Sequence, residues 1–183
     1  MRASAPRKRS AAWMPLLFGS ASSGPVADVA LLGIRIVLAW IFIDYGAAKL
    51  FGAFPGSGPH GIDQTATYMS QAAHLRPGEL FAVLAGVIEF GGGIAMALGL
   101  GTRLAGLALL GDMVMAMITV TWAAGFNPTT GGTGYQLNLA IAGPALAAAL
   151  LGAGRFSVDA LIARAFGRRP EPASAGAATR SRA

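Results

Sequence analysis

Residues 80–100 read LFAVLAGVIEFGGGIAMALGL, and they set Glu89 beside Gly91, Gly92 and Gly93 in an otherwise apolar run. A run of that length and composition reads as a membrane-spanning helix. An ionised carboxylate at such depth costs roughly 3 kcal/mol or more, so it must be sheltered, paired or protonated. The adjacent glycines let a second helix approach closely on the same side. Fold and function therefore turn on which groups from other segments reach Glu89.

The whole chain supports a membrane class. It has 183 residues, 54% apolar and only 12% charged, about half the charge fraction of a soluble domain. Further apolar runs approach spanning length, predicting an all-α bundle of four transmembrane helices. Cysteine is absent, which excludes disulfides, thiolate metal sites, cysteine catalysis and c-type haem attachment. The net charge of +6 gathers at the two ends of the chain. In a membrane protein that pattern sets orientation and contact with anionic lipid, and it does not point to nucleic acid.

Taken in order, residues 1–27 form a basic, flexible tail. Pro15 and the short apolar patch over 13–18 weigh against a signal peptide. The membrane domain covers 28–153, with spans at about 28–51, 79–100, 104–123 and 135–151. A long Gly- and Pro-rich loop over 52–78 includes a short surface helix, and Pro77 suits a helix start. Pro144 predicts a kink in the fourth span and a released carbonyl near Ala140. Ser157 is placed to cap an amphipathic interfacial helix over 154–169. It carries Arg164, Arg168 and Arg169 on its basic side, and residues 170–183 read as a disordered tail. The flanking positive charges place both termini in the cytoplasm.

Depth, at about 1.5 Å per residue, groups the polar residues into two layers. Arg35 lies about 12 Å, Glu89 about 16 Å and Asp112 about 12 Å from the cytoplasmic end of their spans. An Arg35–Glu89–Asp112 cluster is the expected proton-handling site, because one cation cannot neutralise two ionised acids and one acid keeps a proton. The outer layer comprises Tyr45, Lys49, Trp122, Tyr135, Gln136 and Asn138, a hydrogen-bonding, aromatic-rimmed set suited to a quinone head group. Plainer readings stand beside these. Tyr45, Trp122 and Tyr135 fit an interfacial aromatic belt, Lys49 fits a snorkelling residue, and Arg35 with Glu89 fits a static packing pin. His60, Asp63 and His74 lack the number and spacing of a metal site. Gly91–Gly93 lies mid-helix with no preceding strand, so it is not a phosphate loop.

Several stretches resemble the DoxX family. They are RIVLAWIFIDYGAAKLF over 35–51; Glu89 with Gly92 or Gly93, then Gly99, Thr102 and Arg103; Gly134-Tyr135-Gln136; and LGAGRFSVDAL over 151–161. Tyr45 stands where the family often has histidine, and Gln136 where it often has glutamate. The resemblance implies a multi-pass protein of the bacterial inner membrane. It also implies links to quinone-coupled sulfur oxidation or to membrane responses to oxidative stress.

Two functional expectations follow. One is a quinone-associated subunit in which Glu89, Arg35 and Asp112 manage protons while Lys49 and Tyr45 sit near the head group. With no ligand set for haem, iron–sulfur or flavin in the sequence, its electrons come from a membrane or peripheral redox partner. The other is a non-catalytic assembly or scaffold protein that docks another subunit through small-residue faces. A transport role would require a homo-oligomer, since no internal repeat is evident.

Overall fold

The computed structural model describes residues 24–54, 58–128 and 133–167. Most of the expected N-terminal tail, the 170–183 tail, Arg168 and Arg169 lie outside the described residues. The described chain is that of an all-α, multi-pass membrane protein. Its helices are α1 (Pro25–Phe51), α2 (Gly61–Gln71), α3 (Gly78–Leu98), α4 (Thr102–Ala116), α5 (Tyr135–Leu151) and α6 (Val158–Gly167). Three helical stretches are long and apolar enough to cross a membrane: Pro25–Phe51, Gly78–Leu98 and Thr102–Ala124. The fourth apolar helix, Tyr135–Leu151, is shorter at 17 residues.

Local chemistry sets the helix ends. Pro25 opens α1, where its fixed φ and missing N–H cost nothing. α3 closes at Gly99 in the left-handed conformation, with φ +66°. Gly101 follows at φ +56° and leads into α4. This glycine pair makes the tight turn between the two helices. At the other end of α4 the winding changes: Met117–Thr121 forms a π turn and Trp122–Ala124 a 3₁₀ turn. α5 runs continuously through Pro144. The irregular backbone falls on α4, next to the cavity described below.

α1 and α3 lie against each other through glycine. A Cβ on Gly46 would strike the Phe90 backbone, and one on Gly93 would stand 2.8 Å from the Ile43 nitrogen. Gly106 brings α4 equally close to α5, with Ala149 N 2.7 Å from the same hypothetical atom. Such contacts let backbones approach where lipid offers no hydrophobic drive for association. Leu38, Phe42, Met96, Leu109 and Ala145 fill the centre. Large apolar side chains such as Val26, Trp40, Leu80, Leu107 and Ile118 point outward, as a bilayer-facing surface requires.

Arg35 is the main correction to the sequence reading. It is buried, at 1% exposure, but it is not bonded to Glu89 or Asp112. Its Nε donates to Met96 O at 2.9 Å and its Nη2 to Ala97 O at 3.1 Å. Its Nη1 donates to Ala153 O at 2.9 Å and to Phe156 O at 2.8 Å. The reason is register. Gly46 meets Phe90 and Ile43 meets Gly93, so three residues back on α1 correspond to three forward on α3. Continued to Arg35, that step passes Met96, about 10 Å along the helix from Glu89. Equal starting depths do not apply to helices of unequal length, here 27 and 21 residues.

The same end of the bundle is tied by other polar bonds. Asp159 accepts from Gly101 N at 2.7 Å and Thr102 N at 3.1 Å, capping the start of α4. Asp28 accepts from Arg155 N at 3.0 Å. Ser157 Oγ accepts from Ala160 N at 3.1 Å and so caps α6, as its position suggested.

Candidate functional site

The register that removes Arg35 from Glu89 supplies Lys49 instead. Lys49 lies in the last turn of α1, and its Nζ donates to Glu89 Oε1 in a close ion pair. Glu89 is 2% exposed, and the Lys49 side chain 15%. The ammonium also lies 5.9 Å from the centre of the Tyr45 ring, one helical turn earlier, within reach of a cation–π contact.

Asp112, from α4, is the third member. Its carboxyl lines the same cavity as Glu89. Glu89 Oε2 and Asp112 Oδ2 are both buried, and neither has a donor among the described residues. A hydrogen bond between two carboxyl groups would need one of them to carry a proton. One ammonium, two carboxyls and one proton sum to zero charge, the state a low-dielectric site favours. Glu89 and Asp112 thus line one cavity, and the cation bonded to Glu89 is Lys49.

This triad lines a cavity of about 410 Å³, within the usual range for small-molecule sites. α1 contributes Phe42, Tyr45 and Lys49, and α3 contributes Phe81, Leu84 and Glu89. Asp112, Met115 and Thr119 come from α4 and its π turn; Leu137, Asn138 and Ile141 come from α5. Tyr68 and Met69 of α2 cover it from the loop side. Asn138 Oδ1 accepts from Thr121 Oγ1 at 2.9 Å, fixing the amide at the wall.

Of the outer-layer residues, Lys49, Tyr45 and Asn138 line the cavity, whereas Trp122, Tyr135 and Gln136 do not. Trp122 and Tyr135 stack at 5.2 Å with an interplanar angle of 20°, and Phe126 meets Tyr135 edge-on at 5.4 Å. Trp122 is 60% exposed, so this is an aromatic cluster outside the pocket. Gln136 lies two residues from Asn138, on the far side of α5, and donates to Asn127 at 3.1 Å. Tyr68, Met69, Met113, Thr119 and Thr121 were missed. Threonines in an apolar helix were a usable signal, but the π turn that presents Thr119 and Thr121 leaves none. Among the described residues no group of His, Cys, Asp and Glu could hold a metal ion.

A DoxX family profile matches residues 30–122. That range takes in Lys49, Glu89 and Asp112 and ends before α5. The familiar-looking stretch over 151–161 falls outside it. No curated protein and no solved structure matches the chain significantly.

Proposed function

The chain belongs to the DoxX family, and from that premise we propose that it is a quinone-associated subunit of a redox or oxidative-stress system in the bacterial inner membrane. The supporting observation is the cavity lined by Lys49, Glu89 and Asp112 and otherwise mostly by apolar side chains. Its size suits one ring. Its unpartnered oxygens, Glu89 Oε2 and Asp112 Oδ2, suit a polar edge of that ring. A quinone supplies two-electron, two-proton chemistry when bound.

The chain's own groups have defined tasks in this reading. Lys49 holds Glu89 and presents a positive charge near a carbonyl oxygen. Glu89 and Asp112 hold one proton between them in the cavity lining, placed to exchange it with a bound oxygen. Asn138, fixed by Thr121, offers an amide on the opposite wall. Phe42, Leu84, Met113 and Ile141 exclude water. Electrons arrive from a partner protein. Arg35 has no part in this chemistry.

The topology fits four spans with both termini in the cytoplasm. The end joined by Arg35, Asp28 and Asp159 carries Arg103, Arg155 and Arg164, while the opposite loops contribute Arg76. The positive-inside rule assigns the first end to the cytoplasm. A reporter fused at the C-terminus should read cytoplasmic.

Quinone content decides the reading. Protein purified into nanodiscs should retain quinone, or take it up when it is added, and Glu89→Gln should lower occupancy about tenfold, a loss of about 1.4 kcal/mol. Wild-type protein that neither carries nor takes up quinone refutes the proposal. If such protein instead captures one partner subunit in stoichiometric amount, it is an assembly protein.

A further inference from the structure

The cavity has polar groups in its lining, but its mouth is the informative part. Two lining residues, Leu84 on α3 and Met115 on α4, are 49% and 47% exposed. A side chain that faces both the cavity and the surroundings stands at an opening. Both belong to stretches that read as membrane spans, so the surroundings are acyl chain rather than water. α3 and α4 are tightly joined nearer their turn, where a Cβ on Gly92 would stand 2.8 Å from Leu109. Beyond Glu89 and Asp112 the facing residues Phe81, Leu84, Ala85, Met115 and Thr119 line open volume instead. The π turn at Met117–Thr121 changes the winding of α4 at this level. Such turns often occur at functional sites.

We propose that the gap between α3 and α4, bounded by Leu84 and Met115, is a lateral portal through which a ligand dissolved in the bilayer reaches Glu89 and Asp112. This rests on the quinone reading and narrows the ligand class. The site takes a small neutral head group bearing hydrogen-bonding oxygens on a single long apolar tail, and the tail remains in the portal. Head-group neutrality follows from the charge balance of the triad. The gap leads directly to the two unpartnered carboxyl oxygens because the acids come from the two helices that bound it.

The chain has no cysteine, so introduced pairs report cleanly. Leu84→Cys with Met115→Cys is bridged by a bifunctional methanethiosulfonate and reopened with reductant. Leu98→Cys with Leu104→Cys, beside the turn, is the control pair. The probes are a benzoquinone with an isoprenoid tail and the same ring without one. Bound ligand is extracted and counted after nanodiscs are separated from free ligand.

The expected result is at least a tenfold loss of tailed-quinone binding in the bridged portal pair, with the tailless ring unaffected, full recovery on reduction and no effect at the control pair. Leu84→Trp should give the same split without a cross-link, which covers failure of the double variant to fold or react. If tailed binding persists in both bridged and Leu84→Trp protein, the portal is wrong while the quinone site stands. Equal loss of both probes also overturns the portal, because the bridge has then collapsed the pocket. Wild-type protein that binds neither probe overturns the quinone reading and the portal with it.

Discussion

Replacing Arg35 by methionine tests the structural assignment most sharply. The guanidinium donates to the carbonyls of Met96, Ala97, Ala153 and Phe156. Met96 O also accepts from Gly99 N at 3.2 Å and keeps that bond. The other three carbonyls lose their charged donor. At about 1–3 kcal/mol for each buried group stripped of its partner, the gross loss is about 3–9 kcal/mol. Removing the buried cation returns part of this in desolvation, and the net destabilisation should fall at about 3–5 kcal/mol, the range for breaking a buried charged interaction. For a chain of this size each kcal/mol lowers the melting point by about 2–4 °C, which predicts a drop of about 10 °C. The assay is thermal unfolding of purified protein in one detergent, with quinone binding measured on the surviving folded fraction. Arg35→Lys should fall between, because one ammonium cannot reach all four carbonyls on two segments. A methionine variant that melts within about 2 °C of wild type refutes the reasoning behind the estimate. So does one that keeps its stability but loses ligand binding, since that would return Arg35 to the site.

Other outcomes follow from the same geometry. Lys49→Glu with Glu89→Lys should recover folded protein that each single change loses, whereas Arg35→Glu with Glu89→Arg should not; membrane expression levels distinguish them. A double-mutant cycle of Lys49→Met and Glu89→Gln should show a coupling of about 1–3 kcal/mol in unfolding, and additivity would dissolve the ion pair. Gly46→Ala should cost about 1–3 kcal/mol or more through its collision with the Phe90 backbone. Gly91→Ala and Gly111→Ala, with nothing within 4 Å of the new methyl, should be neutral or stabilising by about 0.5–1 kcal/mol. Asp159→Ala should cost about 1–2 kcal/mol by uncapping α4, and should leave ligand occupancy of the folded protein unchanged.

What was legible in the sequence depended on distance along the chain. Apolar length located the helices, and glycine and proline marked their ends, because both properties are local. Glu89 and Asp112 reach one cavity because α3 and α4 are joined by a short glycine turn. A short connection fixes register, so counting from the turn gives each acid its level. α1 and α3 are separated by a long loop, and no such count is available between them. Their register is set by where Gly46 and Gly93 admit the opposing backbone, which the sequence does not state. The error over Arg35 and Lys49 follows directly, since both are basic residues on one apolar helix. Trp122 and Tyr135 lie outside the cavity, because stacking against each other turns them from it.

The two basic residues of α1 therefore divide the bundle into ends with different physics. Around Arg35 the donors are spent on carbonyls at the close of α3 and in the segment after α5, while Asp159 and Asp28 cap neighbouring backbone. Such a knot has little left to offer a ligand. Around Lys49 the accounting is incomplete: two carboxyl oxygens lack donors and the surrounding helices do not close over them. A bundle can keep that imbalance only if stability is supplied elsewhere. Here it comes from the tied end and from the glycine contacts between α1 and α3. It follows that weakening the knot should lower binding only by unfolding the protein, whereas neutralising Glu89 should lower the binding of the protein that stays folded, whatever its cost in stability through the lost Lys49 pair. Arg35→Met and Glu89→Gln, compared for melting point and for quinone bound per folded protein, should therefore separate, with only Glu89→Gln lowering the latter. If both variants lose stability and binding in the same proportion, the separation between a structural end and a functional end is not a property of this fold.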